Sequence, residues 1–171
     1  MILLVTHPDD ELVNMSNFFL NNSQCLSILV GGANKDRTEK FKKLMGDLKR
    51  AHAILPLYPD YLLGYDKNLV HDMIFEEILK CSNIDYLVIP SIYDDHPEHN
   101  LVTMIGMKIS ILLKVDVIFS TCTDKEIVQT TINEKIWYLK KYYPKEYADL
   151  LLMKHPIIRN KYTETHTLCI K

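Results

Sequence analysis

The chain has 171 residues, 47% apolar and 25% charged, with a formal net charge of −2. That length reads as one domain over 1–171, able to bury a core without disulfides. The near-neutral balance offers no basic surface for phosphate, which excludes nucleic acid as the main partner.

Taken in chain order, short β-rich runs alternate with helix-like segments. An apolar run over 2–6 predicts a strand, and the pattern over 10–21 a helix. The run over 25–32 predicts a second strand, followed by a long charged helix over 35–54. An extended piece over 57–62 precedes a helix over 68–81, whose apolar stripe is Val70, Ile74, Ile78 and Leu79. DYLVIP (85–90) is continuously apolar, as expected of a strand buried on both faces of a parallel sheet. A helix over 98–113 and a strand over 115–120 follow. The last third reads as a helix over 132–143, a short helix after Pro144 and an edge strand over 162–170. Strict alternation of this kind predicts an α/β, three-layer Rossmann-like fold with a mainly parallel central sheet. In such folds ligands bind beyond the carboxyl ends of strands, where the strand order reverses.

Cys25, Cys81, Cys122 and Cys169 form no CxxC pair and read as reduced thiols of a cytoplasmic protein. No signal peptide is expected, because the first strand begins at Met1 and runs straight into a polar motif. The most apolar long window, 104–120, is interrupted by Lys108, Lys114 and Asp116, so no membrane span is expected.

Two motifs carry the chemistry: HPDDE (7–11) after the first strand and HPEH (96–99) after the 85–90 strand. His-plus-carboxylate clusters at two strand ends can converge on one divalent metal. Two imidazoles and one carboxylate with water in the fourth position form a hydrolytic centre. The bland alternative for HPDDE is a helix start, where proline and acids are both favoured. Capping needs only one acid, however, and two adjacent carboxylates can divide the work of metal ligand and general base. In HPEH the histidines lie three apart on one side of a helical turn. Both can ligate, or one can ligate while the other faces the substrate. Asp94, Asp95 and Glu98 crowd these two imidazoles and are of the kind that fixes a histidine's tautomer or raises its pKa. The alternative for this segment is a solvated polar loop. His52, His71, His155 and His166 have no partner at ligand spacing and read as ordinary structural residues.

Together the motifs resemble those of the PIG-L/LmbE-like family of zinc-dependent N-acetylglucosamine deacetylases, with Thr6 in place of that family's alanine and Glu98 in place of its second aspartate. LYPD (57–60) is similar to the family's leucine–proline–aspartate segment, and YTETH (162–166), with Glu164, to its C-terminal motif. The resemblance implies a Rossmann-like fold and a zinc site of His7, Asp10 and His99. It implies Asp9 as general base, His96 as the charged group at the oxyanion, and Glu98 or Asp94 as the acid holding His96. Asp60 matches a position that contacts sugar hydroxyls. The family carries a substrate-binding arginine three residues before a glutamate; aligned on Ala51, these two positions hold Leu44 and Asp47 here. That contact is then lost, and Arg37 or Lys43 replaces it only in a shifted alignment.

The implied reaction is hydrolysis of the acetamide of an N-acetylated sugar or conjugate, releasing acetate and a free amine. The ligand set also suits Fe2+. Hydrolysis of a non-sugar N-acyl substrate is one alternative, and a metal-binding protein without turnover is another. Asp9 speaks against the latter, since a structural site has no use for a base beside an open position. A homo-oligomer is left open.

Overall fold

The computed structural model of the chain describes residues 1–91, 94–123, 132–153 and 163–169. The elements follow one another as β1 (Ile2–Val5), α1 (Asp10–Val13), α2 (Ser16–Asn21), β2 (Leu26–Leu29), α3 (Lys35–Asp47) and β3 (Ala51–Ile54). A short 3-10 turn (Leu62–Gly64) then leads to α4 (Lys67–Leu79), β4 (Tyr86–Pro90), α5 (Pro97–Leu113), β5 (Asp116–Thr123), α6 (Ile132–Tyr142), α7 (Pro144–Leu152) and β6 (Thr163–Cys169).

The six strands form one sheet in the order β3-β2-β1-β4-β5-β6. The first five run parallel, and β6 closes the far edge antiparallel to β5. The architecture is the three-layer α/β fold expected from the alternation. Side chains of β1 alternate between the two faces: Ile2 and Leu4 pack with Val70, Ile74 and Ile105 of α4 and α5. Leu3 and Val5 pack with Phe19, Phe41 and Leu139 of α2, α3 and α6. Burial on both faces explains why β1 and β4 are continuously apolar. Strand order reverses between β1 and β4, which pair directly through Ile2↔Leu87 and Leu3↔Val88. Both motifs therefore leave the sheet at its switch point.

Gly106 lets α5 sit close over β4, because a Cβ there would lie 2.7 Å from Ile89 Cγ2. Among the described residues no helix is long and apolar enough to cross a membrane.

Three sequence expectations differ from the structure. The helix expected over 10–21 is two helices, broken at Asn14 and Met15. Lys135 Nζ donates to the Val13 carbonyl at 2.9 Å, and Ser120 Oγ donates to that of Asn14, so tertiary donors take the carbonyls a continuing helix would use. The helix expected over 35–54 ends at Asp47, and its last residues form β3. Lys49 adopts φ 52, with Lys49 N–H on the Gly46 carbonyl at 3.1 Å and Arg50 N–H on that of Met45 at 2.8 Å. This is a Schellman stop built on lysine instead of the usual glycine. The extended piece expected over 57–62 is a loop and a 3-10 turn, because the strand lies earlier, at Ala51–Ile54.

Candidate metal and catalytic site

β1 delivers His7 to the carboxyl end of the sheet, and α1 starts at once with Asp9 as its N-cap. β4 delivers the second motif, with His96 as N-cap and Pro97 as first residue of α5. Thr103 Oγ1 donates to the Pro90 carbonyl at 2.8 Å, fixing the first turns of α5, and hence His99, against the end of β4.

The two motifs meet. His7 Nδ1 and His99 Nε2 lie 3.1 Å apart, and Asp10 Oδ2 lies 3.4 Å from the former and 3.1 Å from the latter. Ligands at ~2.0–2.1 Å in a tetrahedral zinc shell stand roughly 3.3 Å from one another. The three atoms thus have the spacing of one face of such a shell. His7, His96 and His99 also have ring nitrogens within 4.8 Å of one another, as do ligand atoms of His7, Asp60 and Glu98. The Glu98 carboxylate is already committed: it lies 2.7 Å from His7 Nε2 and accepts from the amides of Asp60 at 3.0 Å and Leu62 at 2.5 Å. A bond to Nε2 puts the His7 proton there and leaves Nδ1 free to bind a cation. Asp94 Oδ2 does the same for His99 from 2.8 Å at Nδ1.

Those partners correct the sequence expectation for His96. Glu98 holds His7 and Asp94 holds His99; neither carboxylate holds the His96 ring. His96 Nδ1 instead accepts from the Glu98 amide at 3.3 Å, which leaves the proton on Nε2. Burial, with the neighbouring His99 and His7, lowers the His96 pKa, which favours the neutral ring. It is a hydrogen-bond donor with a fixed tautomer. The acid one methylene longer than aspartate reaches across to the first motif instead.

The neighbouring carboxylates separate electrostatically. Burial raises the Asp10 pKa, but the adjacent His99 and His7 outweigh it and hold the carboxyl well below its ordinary range. Burial and the Asp10 charge together push Asp9 well above its ordinary value, against the opposing pull of Arg37. Burial disfavours a charged His99, yet Asp10 and Asp94 prevail and push it up to about 10. Asp9 also has a strained backbone, φ 110 in a residue with a Cβ. Strain of this sort persists only where surrounding bonds over-determine it. Glu11 Oε2 accepts from the Asp9 amide at 3.0 Å, and Tyr143 Oη donates to Glu11 Oε1 at 2.7 Å. Arg37 Nη2 donates to Asp9 Oδ1 at 3.1 Å and to the Pro8 carbonyl at 2.9 Å.

Arg37, Glu11 and Tyr143 were not assigned to the site from sequence. Leu44, where the alignment on Ala51 puts the arginine, is buried in the core, and Asp47 accepts from Tyr142 Oη at 2.5 Å. Among the described residues, Arg37 is the arginine that reaches the site, from the first turn of α3. Glu11 sits in the HPDDE motif and looks like any first-turn acid; its partner Tyr143 is 132 residues away, so no local signal could pair them.

The site opens into a cavity of about 480 Å³, bordered by His96, Asp60, Asp95 and Arg37 with Leu150 and Met153 of the α7 end. Asp60 lies on its rim at φ 62, its amide bonded to Glu98. His52 and His71 lie elsewhere, on the Arg50 carbonyl and on Asp72. His155 lies outside the described residues, and Glu164 and His166 fall on β6.

No protein-family model and no curated protein matches the chain. Solved structures do match, over nearly the whole chain. A deacetylase of the teicoplanin biosynthetic pathway, solved as a triple mutant, aligns with TM-score 0.70 and 12% identity, over 96% of this chain and 95% of that one. N,N'-diacetylchitobiose deacetylase from Pyrococcus horikoshii aligns with TM-score 0.63 and 12% identity, over 98% and 83%. The conserved protein TT1542 from Thermus thermophilus aligns with TM-score 0.62 and 12% identity, over 97% and 92%. The chain thus has the fold of known deacetylases, the activity class of the PIG-L/LmbE-like family that its two histidine motifs resemble.

Proposed function

We propose that residues 1–171 form one metal-dependent hydrolase domain that removes the N-acetyl group of an N-acetylglucosamine-type sugar or conjugate in the cytoplasm. The observation that carries the reading is the triangle of His7 Nδ1, His99 Nε2 and Asp10 Oδ2, with edges of 3.1 to 3.4 Å, beside a strained Asp9 and an open cavity. The donor chemistry fits Zn2+, and Fe2+ as the second choice. A structure in the teicoplanin series is described as the zinc-inhibited form of its deacetylase.

A divalent ion held by these three residues would acidify a water and polarise an amide carbonyl. Asp9 has the placement of a general base, with a pKa raised by burial and the Asp10 charge, and takes the proton of the attacking water. Arg37 keeps the Asp9 carboxylate aimed, and the Glu11–Tyr143 pair keeps its backbone in place. His96 donates from Nε2 to the oxygen on which negative charge develops; one such donor is worth ~3–4 kcal/mol. Asp9 then returns its proton to the departing amine, and acetate and amino sugar leave. Asp60 and Asp95 on the cavity rim offer acceptors for sugar hydroxyls.

The test is an assay of acetate release from a panel of N-acetylated sugars, sugar conjugates and non-sugar N-acyl amines, using metal-stripped and zinc-restored protein. Zinc-dependent release from one or more sugars supports the reading. Turnover of non-sugar amines alone would reassign the substrate, and zinc binding without turnover would reduce the protein to a metal carrier.

A further inference from the structure

Asp10 offers one oxygen to the metal position and has its other oxygen occupied. Oδ2 lies in the triangle and also accepts the His7 amide at 2.8 Å. Oδ1 accepts from Asn14 Nδ2 at 3.1 Å, four residues on and buried. Asn14 is itself fixed by two backbone hydrogen bonds, since its amide donates to the Asp10 carbonyl at 2.8 Å and its carbonyl accepts from Ser120 Oγ, and the residue borders the cavity. The break between α1 and α2 falls at this residue. An ordinary helix-end asparagine would turn its amide to solvent, but Asn14 is 7% exposed and spends its donor on a site carboxylate.

We infer that Asn14 is a positioning residue that makes Asp10 a one-oxygen metal ligand and so keeps the remaining coordination positions open for water and substrate. This rests on the metal-site reading above. A carboxylate free at both oxygens can swing to bind a cation through both of them, which raises the coordination number and fills the place substrate needs. A neutral amide donor prevents this while leaving the charge of Asp10 undiminished, as a lysine or arginine there would not. Partners that hold a metal ligand in this way typically contribute ~10–100-fold in metal affinity.

The experiment compares the full chain and Asn14→Ala by zinc titration against a chromophoric chelator and by the visible spectrum of the Co2+-loaded protein. Co2+ absorbs strongly with four ligands and weakly with six. Zinc should bind ~10–100-fold more weakly in Asn14→Ala, and its Co2+ band should lose intensity. Asn14→Gln, which keeps an amide donor, should recover part of both. If Asn14→Ala fails to fold, Asn14→Ser and Asn14→Gln carry the same comparison. Ser120→Ala loosens the same turn without touching the Asp10 carboxylate, and should keep the wild-type spectrum. Tight zinc binding by wild type with an unchanged Asn14→Ala affinity and spectrum would overturn this inference alone. Equal losses in Ser120→Ala would also overturn it, by tracing the effect to the turn. Absence of zinc binding by wild type would overturn the metal reading and this inference together.

Discussion

Glu98 Oε2 lies 2.7 Å from His7 Nε2, joining the two motifs across 91 residues of chain. The same carboxylate holds the amides of Asp60 and Leu62, so one side chain ties together β1's end, the α5 start and the loop before α4. Glu98→Ala leaves two amides and a buried imidazole without their acceptor. An unsatisfied buried group costs ~1–3 kcal/mol, and a lost partner of a metal-binding histidine ~10–100-fold in affinity. Thermal unfolding of the metal-free variant and a zinc competition titration should show both losses. An Asp94→Asn variant, which perturbs the His99 ring and the His96 amide but not His7, should lose affinity with a smaller change in stability.

The proposed site gives the histidines separable roles. His99→Ala and Asp10→Ala each remove a corner of the triangle and should lose metal, with activity partly restored by excess zinc. His96→Ala should keep its metal and lose turnover by roughly the 10²–10³-fold that a single oxyanion donor supplies. Metal content measured beside kcat distinguishes the cases; metal loss in His96→Ala would move that ring into the ligand set.

Metal uptake should be coupled to pH. His99 is pushed up to about 10, and His7 is raised as Asp10 and Glu98 outweigh burial, so at pH 7 the metal-free site holds protons that the metal must displace. The apparent affinity should therefore rise with pH, about tenfold per pH unit for each proton displaced, until the pH exceeds the histidine values. Calorimetry in buffers of different ionisation enthalpy counts those protons directly. Proton-neutral binding at pH 7 would place the metal elsewhere.

Glu11 predicts a pH-dependent stability. Burial raises it from 4.5 to about 7. The folded state therefore binds more protons than the unfolded state between those values, and stability falls as pH rises through the window. The penalty is absent below 4.5 and complete above about 7. Glu11→Gln removes it, so the Tm of the variant relative to wild type should climb from pH 4.5 to 7. A constant Tm difference would show that the carboxyl titrates normally. Turnover should fall in Glu11→Gln as well, because the Asp9 amide loses part of its anchor.

Much of this was legible in the sequence, for physical reasons that differ from element to element. β1 and β4 stood out because strands buried on both faces are continuously apolar, and each ends in a motif with unpaired chemistry. The two motifs stood out because they sit at those strand ends, and the family resemblance then named His7, Asp10 and His99 among their residues. β3 was hidden because it is an edge strand of half-exposed residues, and because the left-handed stop before it uses Lys49. The kink at Asn14 depends on Ser120 and Lys135, which no local pattern reveals. Which acid serves which histidine was misread for a similar reason. Asp94, Asp95 and Glu98 are equivalent in the sequence, and only the approach of β1 to β4 decides that Glu98 turns to His7. Arg37 was reached only by a shifted alignment, because its hydrogen bond to Asp9, 28 residues away, leaves no local signal.

The most direct test of the account is acetate release from an N-acetylglucosamine conjugate by wild-type and Asp9→Asn proteins carrying equal zinc. Asparagine keeps the size of the side chain but cannot take the water's proton. The account predicts steady release by wild type and a rate ~10²–10⁴-fold lower in Asp9→Asn, the usual contribution of a general base. An Asp9→Asn rate close to wild type at equal metal content would contradict it.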